Sequence, residues 1–192
     1  MRTPEPVVLA GEHLRLEPLE DAHVPDLLTA AQDDAIWSWM SVPRPRTEDD
    51  LRRVVAWHRD NPSGQAWAVL VDGRAQGSTS YLDVDVPLGG LEVGWTWYAR
   101  ALWSTSVNPE CKLLLLEHAF HALGAERVSL KTDGRNLRSR SAIGRLGARY
   151  DGTLRHSRRR PDGTVRDTAY FSLLASEWPA ARQGLLRRLG RA

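Results

Sequence analysis

The sequence Leu91-Glu-Val-Gly-Trp-Thr-Trp-Tyr98, followed closely by Ala101-Leu-Trp-Ser-Thr-Ser-Val-Asn-Pro-Glu110, is the most unusual stretch of the chain. An aromatic strand runs through a loop of small hydroxylated residues into a helix. Amides at such a helix start lack intrahelical acceptors and can hold phosphate, helped by the hydroxyls of Ser104, Thr105 and Ser106. The same residues also suit simple helix capping, so the loop alone leaves both uses open.

Working outward, Leu14–Leu19 reads as a first strand ended by Pro18, with a short helix over Val24–Ala31. Thr47 caps a second helix whose first turn is acidic and whose apolar face is Leu51, Val54, Val55 and His58, until Asn61-Pro62 stops it. Ala66–Val71, the Asp72-Gly73 turn and Arg74–Leu82 predict a hairpin. Beyond the central stretch, Leu113–Leu123 repeats at helical spacing and ends at Gly124. Val128–Thr132 is a strand, Asn136–Leu146 a helix closed by Gly147, and Tyr150–Arg158 and Val165–Leu174 are strands joined through Pro161-Asp-Gly163. Ala181–Ala192 is expected as a short helix or a frayed tail. The order predicts a mixed α/β sheet domain.

With 192 residues, 42% of them hydrophobic, the chain suits one domain spanning 1–192 with a core over about 14–179. Eight tryptophans spread among apolar segments argue against disorder. A single cysteine, Cys111, excludes an internal disulfide, and no apolar run approaches a membrane span. The start, Met1-Arg-Thr-Pro-Glu-Pro6, lacks a signal peptide's apolar core, so a cytoplasmic location is expected. The formal charge of +2 divides unevenly: 10 basic and 19 acidic residues through Glu126 (−9), then 16 basic and 5 acidic residues (+11). No zinc motif is present; His118 and His121 read as one partly buried and one polar helix position, and no metal is expected. Walker and dinucleotide fingerprints are also missing.

The ordered motifs Glu92-Val-Gly-Trp95, Trp103-Ser-Thr-Ser-Val-Asn-Pro-Glu-Cys-Lys112 and Thr132–Ala148 resemble the GCN5-related N-acetyltransferase (GNAT) superfamily, with closest likeness to its RimJ/RimL-like ribosomal-protein N-terminal acetyltransferase group. The likeness runs from about Leu14 to Pro179. It implies a mostly antiparallel central sheet flanked by helices, with two central strands splayed apart. Acetyl-coenzyme A would lie in that gap as co-substrate, between the edges Gly94–Tyr98 (with Trp95, Thr96 and Trp97) and Val128–Thr132. The family's pyrophosphate loop falls on Trp103, Ser104, Thr105, Ser106, Val107 and Asn108. Trp103 replaces a polar residue there and Ser106 a glycine, so a positive φ at Ser106 would be strained. Asn136 would bond pantetheine and Ser139 would approach the thioester sulfur or the adenine-side arm, with Arg138 and Arg140 near the phosphates. A plain reading makes Asn136 a helix cap and Ser139 a surface residue.

Acyl transfer to an amine needs a proton acceptor. Glu92, at the mouth of the implied splay, is the candidate base, with an edge-strand polar position as its alternative. Burial beside Trp95 or Trp97 would raise its basicity if no arginine paired with it. Ser139 is the candidate acid. Cys111 reads as core, which favours direct transfer in a ternary complex over an acyl-cysteine. The acceptor pocket implied by the resemblance involves Trp37 and Trp39, either of which could instead close the core, and the Arg158-Arg-Arg160 run. Arg159 and its neighbours are a solvated hairpin tip or a site for an acidic acceptor or a succinyl group. The expectation is an N-acetyltransferase acting on a protein N-terminus or a small amine, without direct nucleic-acid or membrane binding, and homodimeric. Succinyl-coenzyme A as donor, and a noncatalytic acyl-coenzyme A sensor, are the alternatives.

Overall fold

The computed structural model describes residues 1–191; Ala192, the last residue of the expected C-terminal helix or tail, lies outside the described residues. Eight strands form one sheet in the order β1-β2-β3-β4-β5-β6-β8-β7. They are β1 (Leu9–Ala10), β2 (Arg15–Pro18), β3 (Gln65–Val71), β4 (Arg74–Asp85), β5 (Gly90–Tyr98), β6 (Arg127–Asp133), β7 (Arg149–Arg159) and β8 (Val165–Leu174). Helices α1 (Val24–Ala30), α2 (Asp34–Trp37) and α3 (Glu48–Arg59) precede β3; α4 (Val107–Glu117), α5 (Leu137–Gly144) and α6 (Trp178–Arg188) follow β5, β6 and β8. Every neighbouring pair of strands is antiparallel except β5 and β6.

Local chemistry explains the elements. Asp72 and Gly73 both take positive φ (51° and 75°), as a two-residue primed turn requires, and so join β3 to β4. Thr47 and Asp50 form a reciprocal capping box at the start of α3. Alternation along β3 sends Ala66 and Ala68 into a core under α1–α3, and Trp67 and Val69 into a larger core under α4 and α6. Helix α4 runs on through a π-helical turn, His118–Ala122, and stops at Gly124 with φ 71°. Cys111 is buried in that larger core. Helix α6 starts at Trp178, earlier than the sequence indicates. Pro179 sits in its first turn, where a missing amide costs nothing, and Trp178 is 1% exposed. The two-residue β1 and the one-turn α2 are too short to leave a periodic signal.

Two departures from regular pairing position the site. Strands β5 and β6 pair only through Gly90–Arg127, Leu91–Val128 and Glu92–Ser129; beyond Glu92 they part, β5 staying with β4 and β6 with β8. In the same stretch β5 bulges. Ser80 pairs with Gly94 and Ser78 with Trp97, so Trp95 and Thr96 together oppose Thr79, and Trp95 takes φ 49°.

Glu110, in the first turn of α4 and 0% exposed, fastens the chain ends to this frame. Its carboxylate accepts from the amides of Glu12 (2.7 Å) and His13 (2.9 Å) and from the Arg191 guanidinium (2.5 Å). Burial alone would raise its pKa; the Arg191 guanidinium and the two amides outweigh burial and hold it below the usual carboxylate range. A depressed pKa contributes stability above the unfolded value of about 4.3, lost as pH falls through the folded one. Glu110→Ala is expected to lose about 3 kcal/mol in urea unfolding at neutral pH, because it strands two amides and leaves Arg191 only the exposed Glu12 carboxylate (2.8 Å). The gap to wild type should narrow below about pH 4.

Candidate active site

The parting of β5 and β6 opens a cavity of about 660 Å³. On its β5 wall the bulge fixes two side chains. Trp95 is held against α3 by His58 (ring centroids 4.2 Å apart) and Trp57 (5.9 Å). His58 is itself buried, and burial pushes its pKa down to about 4, so the ring that supports Trp95 is neutral. The Thr96 hydroxyl meets Thr79 (2.8 Å) and accepts from the Lys112 ammonium (2.8 Å). Lys112 lines the cavity from α4, buried, its pKa lowered by burial, with no carboxylate in ion-pairing range among the described residues. A lone lysine inside the apolar run Cys111–Leu116 was the signal that could have marked it.

One end of the cavity is the loop between β5 and α4. The strain expected at Ser106 is not there: Ser106 is helical (φ −66°, ψ −16°), and the positive φ (64°) falls on Ser104, where the chain turns from β5 into the helix. Among the described residues the amides of Ser104, Thr105, Ser106 and Asn108 donate to no acceptor within the chain. Ser104, Thr105 and Asn108 line the cavity. Ser106 is not among the lining residues, and Val107 is buried in the larger core. Trp103 lies between two guanidiniums, Arg138 (3.4 Å from the ring centroid) and Arg100 (4.2 Å). Arg138 thus belongs to this end, and Arg145 and Arg188 also line the cavity, from the C-terminus of α5 and from α6. Arg140 does not. It donates to the Gly134 carbonyl (3.1 Å) and leans toward Tyr150, because the helix turn that points Arg138 inward turns Arg140 away. Asn136 caps α5 through the Ser139 amide (3.0 Å), as the plain reading held, while Asn136 and Ser139 both line the cavity. Unsatisfied amides with three arginines suit a polyphosphate ligand.

At the other end stands Glu92, buried in the middle of the sheet and not on an edge strand. Its carboxylate meets the Lys131 ammonium at 2.5 Å, and Lys131 also reaches Asp83 at 3.4 Å. Burial raises the Glu92 pKa and prevails over the lowering by Lys131. The expected threat to its basicity was an arginine; the partner is instead Lys131, which comes from across the parting, where only register could place it. Trp39 lines this region, whereas Trp37 is core, packed on Trp97 at 5.2 Å and donating to the Ala31 carbonyl (2.9 Å). Arg158 and Arg166 line the cavity. Arg159 does not; it is exposed at the hairpin tip, donates to the Gly163 carbonyl (3.3 Å) and borders only a small cleft below Trp39. No three His, Cys, Asp or Glu side chains converge as metal ligands among the described residues, and no helix is long and apolar enough to cross a membrane.

Comparison with known proteins bears on this arrangement. The family model for the acetyltransferase (GNAT) domain matches residues 13–149. A candidate acetyltransferase from T. thermophilus is 38% identical, covering 97% of this chain and 99% of its own, with a TM-score of 0.90. A GCN5-related N-acetyltransferase from Brucella melitensis is 27% identical over 96% of this chain and 86% of its own (TM-score 0.91). Mycobacterium smegmatis RimJ, in complex with CoA-disulfide, is 17% identical over 100% of this chain and 98% of its own (TM-score 0.85), a likeness of fold alone. No curated protein matches the chain significantly.

The Glu92–Lys131 contact makes a direct prediction. Removing the ammonium in Lys131→Met should move the Glu92 carboxyl titration, followed by carbon NMR, to higher pH than in wild type. An unmoved midpoint would show that Lys131 does not hold the carboxylate in solution.

Proposed function

The chain belongs to the acetyltransferase (GNAT) family and is an acyl-coenzyme A-dependent acetyltransferase, from which we propose that it carries acetyl from acetyl-coenzyme A to a primary amine. The acceptor in this reading is a protein N-terminus or a small molecule, attacked directly in a ternary complex. One observation carries it: a buried carboxylate of raised pKa and a cationic, amide-lined pocket occupy opposite ends of a single cavity.

The coenzyme, when bound, supplies an activated thioester and a thiolate leaving group. The free amides of Ser104, Thr105, Ser106 and Asn108 and the guanidiniums of Arg138, Arg145 and Arg188 would hold its phosphates. The stretch Trp95–Trp97 along the bulge and Asn136 line the path between the ends, with Ser139 beside them as proton donor. Glu92 takes the proton of the attacking amine, and its raised pKa brings it nearer to neutrality, where a base is most effective. Trp39 walls the acceptor mouth, Trp37 supports it through Trp97, and Arg159 meets only the outer parts of a large acceptor. Cys111, buried and with its thiol pKa raised by burial, is unsuited to carrying an acyl group, which supports direct transfer.

Arg158 and Arg166 at the Glu92 end favour a second reading, in which the donor is succinyl-coenzyme A. The RimJ/RimL-like grouping rests on the sequence motifs and on fold likeness to RimJ and RimL structures at 17% and 14% identity. We also place the chain in the cytoplasm as one catalytic domain, and infer a homodimer formed through edge strand β7, where Tyr150 and Leu154 are exposed.

The test titrates the protein with acetyl- and succinyl-coenzyme A and then follows free thiol with a panel of amines. Glu92→Gln should lower kcat by about 10²–10⁴ at unchanged coenzyme affinity. Arg138→Ala should weaken coenzyme binding about tenfold. Coenzyme binding without turnover of any amine would favour a noncatalytic sensor, and wild-type turnover in Glu92→Gln would remove Glu92 as the base.

A further inference from the structure

We propose that Arg166 and Arg158 form a carboxylate-binding site at the Glu92 end of the cavity, so that one of the two molecules meeting there carries a carboxylate beside the reacting atoms. This rests on the reading of Glu92 as the reaction end. Arg166 is 9% exposed and lines the cavity. Its Nε donates to the Thr168 hydroxyl (3.1 Å), but its two terminal nitrogens donate to nothing among the described residues, and no carboxylate lies in ion-pairing range. Arg158 likewise has neither a carboxylate partner nor a side-chain hydrogen bond among the described residues.

The acids nearby are already engaged. Asp133 takes two guanidinium nitrogens of Arg160 at 2.7 Å and the Arg135 amide at 2.9 Å, while Glu92 and Asp83 share Lys131. Two guanidiniums are therefore left over, and that of Arg166, on a side chain only 9% exposed, opens its free terminal nitrogens to the cavity.

Their placement is built. Arg158 and Arg166 face each other on the same rung of the β7–β8 ladder, a like-charge pairing that opposes the strands' association. The pairing follows an irregularity: Leu154 pairs with Thr168 and Arg158 with Arg166, so residues 155–157 oppose Asp167 alone. His156 takes φ 49° there, and its amide donates to the Asp167 carboxylate (2.8 Å). That bulge brings Arg158 into line with Arg166 over the cavity. Ser157 and Thr168, with their hydroxyls 2.5 Å apart, brace the Arg166 side chain from behind. A carboxylate between the two guanidiniums would satisfy both through paired N–H···O bonds. The carboxylate can belong to the acceptor, as in an amine that is also an acid, or to the acyl group, as in succinyl.

Matched pairs separate these sources. Calorimetry on the coenzyme A-loaded protein would compare N-acetylated amino acids with their carboxamides, and thiol release would compare amino acids with their amides, and succinyl- with acetyl-coenzyme A. At least one comparison should favour the carboxylate by about tenfold or more, the strength of a charge-assisted bidentate contact. That preference should disappear in Arg166→Gln and in Arg158→Gln. The second variant alters an exposed residue and keeps the test valid if the first does not fold. Loss confined to the donor comparison assigns the carboxylate to the acyl group, and loss confined to the amine comparison assigns it to the acceptor. No preference in any comparison, or one surviving in Arg158→Gln and in every folded variant, overturns the site. Carboxylate-selective binding without turnover of any amine leaves the site standing and overturns the transferase reading, whereas turnover without selectivity does the reverse.

Discussion

Everything functional in this structure depends on three rungs of parallel pairing. Strands β5 and β6 hold together only from Gly90 to Glu92, and their parting leaves an opening through the middle of an otherwise continuous sheet. A gap in a sheet exposes backbone groups that need partners, a cost tolerated where a ligand or side chains can meet it. Here the last paired residue of β5 is also the buried carboxylate, so the end of the ladder and the chemistry coincide at Glu92. The two cores on either side of the sheet, one under α1–α3 and one under α4 and α6, hold the strands in place around that opening.

Charge is distributed along the cavity in a way that the total of +2 conceals. The basic C-terminal third supplies Arg138 at the loop end, Arg145 and Arg188 along the wall, and Arg158 and Arg166 at the Glu92 end, while the acidic residues of the Glu92 end are consumed by Lys131 and Arg160. The cavity therefore presents cationic groups at both ends, with the neutral His58–Trp95 contact between them. Such a field raises the local concentration of anionic ligands before any specific contact forms.

The sequence made the local decisions legible and left the nonlocal ones hidden. The Asp72-Gly73 hairpin, the Thr47 cap and the Gly124 stop follow from residue chemistry within a few positions, and each is where the pattern put it. The hydroxylated loop before α4 was equally visible. Its strained residue was not, because Ser104 and Ser106 differ only in where the chain turns. Helical spacing could not orient Arg138 against Arg140. The Glu92–Lys131 contact depends on register across strands that share only three rungs, and Arg188 reaches the cavity from a helix that the pattern read as a possible tail. Arg166 carries no signal in the sequence because its burial comes from β7, Trp39 and the cavity wall around it.

The bulge at Trp95 and Thr96 can also be seen as a matter of reading frame. Before it, the odd-numbered Leu91 and Val93 enter the core under α4; after it, the even-numbered Tyr98 does, and Trp97 enters the opposite core. The bulge thus behaves as a one-residue insertion that a period-two strand absorbs without changing either core. A deletion of one residue there would restore regular alternation and keep Trp97 and Tyr98 on their present faces, while a deletion between Leu91 and Val93 would exchange them. In this strand the residue that shapes the site is separable from those that make the fold, and one position marks the boundary between them.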